Sequence, residues 1–169
     1  MPALKPIAKE SIPRALLKAE RYRLLNEPWE AESICRDVLA ADPDNQQAVV
    51  CLILAMTDLF ASRRGRVNDL RSLVESLSSP FERAYYAGVV EERWAKSLMN
   101  ERGSMSAVHD ALQQAMAHFE EAESLAPDGN DDAVLRWNTC VRLLERGEIT
   151  PAAERRRHHG IFDEDMPMR

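Results

Sequence analysis

The chain has 169 residues, 45% of them hydrophobic and 30% charged, with a formal net charge of −6. That length allows one domain, or one short repeat array, with a real core, and the composition excludes an intrinsically disordered chain. The acidic balance disfavours non-specific binding of nucleic acid through overall charge.

Residues 1–11 hold two prolines and read as a loose N-terminal arm. The first residues lack the apolar core of a signal peptide, so a cytoplasmic location is expected. Ser11 is the expected N-cap of a first helix that runs to about Leu25, with Pro13 tolerated in the first turn. Its apolar positions Ile12, Ala15, Leu16, Ala19 and Tyr22 recur at three- and four-residue steps. Asn26-Glu27-Pro28 breaks it, because a residue before proline resists the helical region. Pro28 then opens a second helix through Trp29, Ala31, Ile34, Cys35, Val38 and Leu39.

The third helix starts near Asp44 or Asn45 and runs to about Phe60. It carries the longest apolar run, Ala48 to Met56, which is too short to span a bilayer. A basic turn, Ser62 to Arg66, leads to a shorter helix from about Val67 to Leu77. Ser79 as N-cap and Pro80 at the first helical position restart the chain. The fifth helix ends near Asn100, with Phe81, Ala84, Tyr85, Gly88, Ala95 and Met99 on its buried stripe. The sixth is long, from about Met105 to Leu125. Asp128-Gly129-Asn130 turns the chain into a seventh helix carrying Ala133, Val134, Trp137, Val141 and Leu144, with Gly147 as its end. Residues 147–169 are charged and irregular. Seven helices without a strand signal give an all-α fold.

Residues 12–146 carry a weak periodicity. Ala19, Tyr22, Ala31, Val38 and Pro43 form one set; Ala84, Ala87, Gly88, Ala115, Phe119, Ala122 and Pro127 form another. On these residues the chain resembles the tetratricopeptide-repeat family, whose 34-residue helix pairs set small residues against large ones. The first unit departs from the motif at Ala15, Lys18 and Cys35. The resemblance implies a short right-handed α-solenoid of about three helix pairs, and the seventh helix would close the array. In a regular unit the glycine and the first helix-B alanine are 12 positions apart. Gly88 and Ala115 are 27 apart (115 minus 88), so the third pair is extended by 15 residues. The expected result is a protruding hairpin from Trp94 to roughly Ala111, with Trp94, Arg102 and Met105 as its candidate contact residues.

The resemblance further implies a partner-binding groove along the first helix of each pair. Near that groove lie Leu16, Glu20, Arg23 and Leu24, then Val50, Leu54, Thr57 and Asp58, then Arg83, Tyr86 and Arg93, and on the closing helix Asn138 and Arg142. An extended peptide or partner helix fits such a groove, with arginine forks holding carboxylates. Against this stands the plain alternative of solvated charges paired along helices.

Other features have simple structural readings. Cys35, Cys51 and Cys140 are expected to be buried small residues, and the three tryptophans are expected in the core, with Trp94 the one to test as a contact. Asp128 to Asp132 reads as a helix start, not a calcium loop. His109 and His118 fall on opposite helix faces. Ile161-Phe162, between the basic Arg155–His159 and the acidic Asp163–Asp165, has the form of a short docking motif. No glycine-rich phosphate loop, HExxH motif or nucleophile elbow is present. The expected function is therefore a scaffold, adaptor or chaperone-like peptide binder. A structural subunit of an oligomer is the alternative, and a small helical enzyme is a minor one. No enzyme activity, cofactor, metal, nucleic acid or membrane is expected; a monomer and a homo-oligomer fit equally.

Overall fold

A computed structural model describes residues 2–60, 67–100 and 104–146. Among these residues there are seven α-helices, one 3-10 turn and no strand. The helices are α1 (Ile12–Leu24), α2 (Pro28–Ala41), α3 (Gln46–Asp58), α4 (Val67–Glu75), α5 (Pro80–Asn100), α6 (Met105–Leu125) and α7 (Asp132–Glu145). The basic turn, Arg102, Gly147 and the tail lie outside the described residues.

Local chemistry sets most of the helix ends. Asn45 caps α3 by accepting from the backbone N–H of Ala48 at 3.0 Å. The Ser79 hydroxyl accepts from the Glu82 N–H at 3.3 Å, beside Pro80 at the start of α5. Asn130 accepts from the Asp132 N–H at 2.9 Å and so opens α7. Asn26 stops α1 in a left-handed conformation, φ +60°. There the Glu27 N–H reaches back to the Tyr22 carbonyl at 2.9 Å, which satisfies a carbonyl that the helix leaves free. One expected cap is corrected. Ser11 precedes α1, but its side chain makes no capping bond; its N–H instead closes the 3-10 turn Lys9–Ser11 onto Ala8. Within the N-terminal arm, Ile7 packs against buried Ile12, Leu16, Val38 and Ala48.

Each helix packs on the next, and the odd-numbered helices also touch in series: α1 on α3, α3 on α5, and α5 on α7. Two main apolar clusters result. One joins α1 to α5 around Leu52, Ile53, Phe60, Leu70 and Val90. The other joins α5 to α7 around Val89, Leu112, Phe119 and Cys140. Tyr86 and Trp94 of α5 contact both clusters, so α5 is the shared wall. Cys35, Cys51 and Cys140 are all buried, as expected. No described helix is long and apolar enough to cross a membrane.

Helices α5 and α6 approach each other closely at Gly88. A Cβ there would lie 2.6 Å from Cε1 of Phe119, a fully buried ring on α6. The glycine is needed for space and not for its backbone angles, since it is not among the positive-φ residues. Helices α5 and α6 are 21 residues each, against 13 for α1. The eight extra residues add about 12 Å to each helix at 1.5 Å per residue.

Candidate functional site

Three of the residues singled out from the sequence meet on one face of the odd-numbered helices. Arg23 at the end of α1 donates from Nε to Asp58 Oδ2 at 2.9 Å. Arg93 on α5 donates to the other oxygen of the same carboxylate, to Thr57 Oγ1 at 2.8 Å and to the Leu54 carbonyl at 3.3 Å. Asp58 at the end of α3 therefore holds one guanidinium from each neighbouring odd helix. Burial lowers the proton affinity of Arg93, and Asp58 opposes that effect. The arginine nonetheless keeps its charge, given how far its ordinary value lies above neutrality.

A second charge cluster lies beside the first. Glu92 is fully buried, and its carboxylate takes Lys96 Nζ on one oxygen and Arg136 Nη1 on the other, the latter at 3.0 Å. Burial works against the charge of Arg136, but Glu92 and Tyr85 outweigh it and raise the guanidinium's proton affinity. Asp58 and Glu92 are thus each outnumbered by two cations. Four cations against two carboxylates leave a local surplus of two positive charges in a chain of net charge −6. Asp58, Arg93 and Lys96 from these clusters line a hollow of about 200 Å³ together with Thr57, Phe60, Ser97 and Asn100. The Ser97 hydroxyl is buried and has no hydrogen-bond partner among the described residues.

The remaining expected residues are placed differently. Glu20 is exposed and accepts from Gln47 at 3.3 Å. Arg83 is away from the charged hollow: it donates to the carbonyls of Leu77 at 2.6 Å and Ser78 at 3.1 Å. It thereby satisfies the chain end after α4 and lines a cleft of about 350 Å³ between α4, α5 and α6. Tyr86 is half-buried between the two clusters, and burial pushes its hydroxyl up to about 12. Its ring meets Tyr85 edge-on, 5.2 Å between centroids. Asn138 is half-buried and Arg142 exposed on α7. Leu16 and Thr57 are buried, so neither offers a side chain to a partner. Trp94 is half-buried and packs edge-on against Phe60 at 5.6 Å. Met105 packs into the second cluster. Trp29 departs the other way: it is 51% exposed, at the first turn of α2.

Sequence reasoning missed Glu92 and its neighbour Glu91, whose carboxylate accepts from Arg71 at 3.0 Å. The signal for Glu92 was present. Ala84, Gly88 and Glu92 follow one another at four-residue steps, so Glu92 continues the buried stripe of α5. Among the described residues no group of three or more His, Cys, Asp or Glu is arranged to hold a metal ion.

No family model matches the chain, and no curated protein or solved structure matches it.

Proposed function

We propose that the chain is a protein-binding scaffold, adaptor or chaperone-like binder, built as a short right-handed solenoid of about three tetratricopeptide-like helix pairs and a closing helix. Its binding surface is the face carried by the odd-numbered helices. One observation carries this reading. Arg23, Asp58 and Arg93 occupy matching places on three successive odd helices, 35 residues apart at each step, and hydrogen-bond to one another. A spacing so near 34 residues is what one side-chain row of a repeat array produces. The serial contacts of α1, α3, α5 and α7 support the same order.

The charge on this face specifies the ligand's chemistry. Asp58 and Glu92 are shared among four cations, so an incoming carboxylate finds guanidinium hydrogens already oriented and a positive surplus. An acidic peptide or the acidic face of a helix is the expected ligand. Arg23 and Arg93 are the residues expected to hold it.

Selection of binders from a random peptide library tests the proposal. Acidic sequences should be enriched, and binding should weaken with salt. Arg93→Ala should reduce affinity roughly ten- to hundredfold, the effect expected for one charge-assisted hydrogen bond of about 1.5–3 kcal/mol. Arg36→Ala, on α2 and paired with Glu32, should have no effect. Failure to enrich any acidic sequence, or binding indifferent to Arg23 and Arg93, refutes this surface.

A further inference from the structure

The outer side of α1 carries exposed apolar and basic residues together. Arg14, Leu17, Lys18, Arg21, Leu24 and Leu25 follow at steps of one, three and four residues along it. Leu17, Leu24 and Leu25 are 66%, 88% and 58% exposed. Arg14, Leu17, Lys18, Arg21 and Leu25 line a groove of about 760 Å³, with Tyr22 beneath and Lys18 Nζ 5.6 Å from its ring centre. The other side of α1 is taken up by α2 and α3. Three leucines and three cations without an acid among them fit a ligand that is apolar and acidic at once.

The chain itself contains such a segment. Ile161-Phe162-Asp163-Glu164-Asp165 sets two large apolar residues directly before three consecutive acids. We propose that this segment docks on the α1 stripe of the same molecule. Ile161 and Phe162 cover Leu17 and Leu24, and the three acids meet Arg14, Lys18 and Arg21. The basic Arg155–Arg157 upstream then falls toward exposed Glu27 and Glu30, at the far end of the stripe. The tether is long enough. Ile161 lies fifteen residue steps beyond Arg146 (161 minus 146). A random coil of that length has a root-mean-square span of about 20 Å and a limit of about 50 Å. Three steps between packed odd helices, from α7 to α1, are about 30 Å at 8–10 Å each. A tether of this kind gives a local concentration in the millimolar range, well above that of a second copy in dilute solution. This docking does not depend on the odd-helix face proposed above.

Photo-crosslinking in the full chain tests it, with Phe162 replaced by p-benzoylphenylalanine and the product mapped by mass spectrometry. The expected product has the mass of one chain and joins position 162 to residues of α1. Its yield should fall at least roughly tenfold when Leu17→Glu and Leu24→Glu are combined, because both apolar contacts are lost. Asp163→Lys with Glu164→Lys should give a similar fall without touching α1. Leu135→Glu, an equally exposed leucine on α7, should change nothing. Three outcomes overturn the proposal: products mapped elsewhere on the chain, products of twice the chain mass that grow with concentration, or no crosslink above background.

Discussion

Gly88→Ala tests the packing of the two longest helices with a single methyl group. Gly88 lies in the middle of α5, where alanine is normally favoured over glycine by about 1 kcal/mol. With open space beside it, the substitution would stabilise the protein by that amount. The structure leaves no such space. The new Cβ would lie 2.6, 2.7 and 2.9 Å from Cε1, Cδ1 and Cζ of Phe119. Carbon atoms pack best at about 3.5–4.0 Å, so three contacts are short by roughly 1 Å. The ring has little freedom to retreat. It is fully buried, with Tyr85 at 6.0 Å between centroids and Ala84, Ala115 and Ala122 in the same cluster. Overpacking of a core costs about 1–3 kcal/mol, and contact with a confined ring belongs at the upper end. Subtracting the helix gain leaves a net destabilisation of about 1–2 kcal/mol. Urea denaturation followed by helical circular dichroism measures this, provided the slope stays that of the parent. The companion variant Phe119→Leu removes the ring, so the methyl group should cost less in the double variant than alone. The coupling between the two sites should be about 1 kcal/mol or more. A Gly88→Ala protein more stable than the parent, or two effects that simply add, would refute the close approach.

Two further outcomes follow from buried ionisable groups. Glu92→Gln removes the charge shared by Lys96 and Arg136, whose side chains are 41% and 32% exposed and can turn to water. The loss should therefore fall below the 3–5 kcal/mol typical of a broken buried pair, at about 1–2 kcal/mol by chemical denaturation, and an unchanged midpoint would sink the proposed role of this carboxylate. At alkaline pH, burial raises both the Cys140 thiol and the Tyr86 hydroxyl to about 12, from ordinary values of 9.0 and 10.0. Both groups are neutral when protonated and hold the proton more tightly in the fold. Their contribution is thus complete below about pH 9 and is lost as the pH climbs toward 12; each tenfold tightening of the proton corresponds to about 1.4 kcal/mol. Denaturation midpoints should fall steadily from pH 9 to 11, and a flat profile would contradict the burial of these two groups.

The helices were legible because their limits are written locally. Pro28, Asn45, Ser79 and Pro80 act within a turn of their own positions, and the structure places helix starts at each. The lengthening of α5 and α6 was legible for a different reason. Gly88 and Phe119 are a small residue and a large one that must meet, and counting the residues between their helices measures how far the chain travels before it returns. Contacts that depend on a third element were not legible. Trp29 looks like a core residue until the first turn of α2 is seen to face solvent. Leu24 and Leu25 continue an apolar period on a side of α1 that no described helix covers.

Glu92 shows the same limit most sharply. A glutamate in a run of Glu-Glu-Arg reads as surface, since lone carboxylates are rarely buried. Its position on the stripe of Ala84 and Gly88 says the opposite, and the two readings conflict within α5 alone. Arg136 resolves the conflict from 44 residues away, on a helix brought against α5 by apolar contacts. The stripe can keep a carboxylate at that step because α7 supplies a cation there. An α5 without α7 would hold Glu92 against Lys96 only. The packing of the seventh helix and the pairing of Glu92 are therefore one structural event, and a variant that loosens α7 should withdraw Arg136, one of the two surplus charges, and leave Arg23 and Arg93 on Asp58 in place.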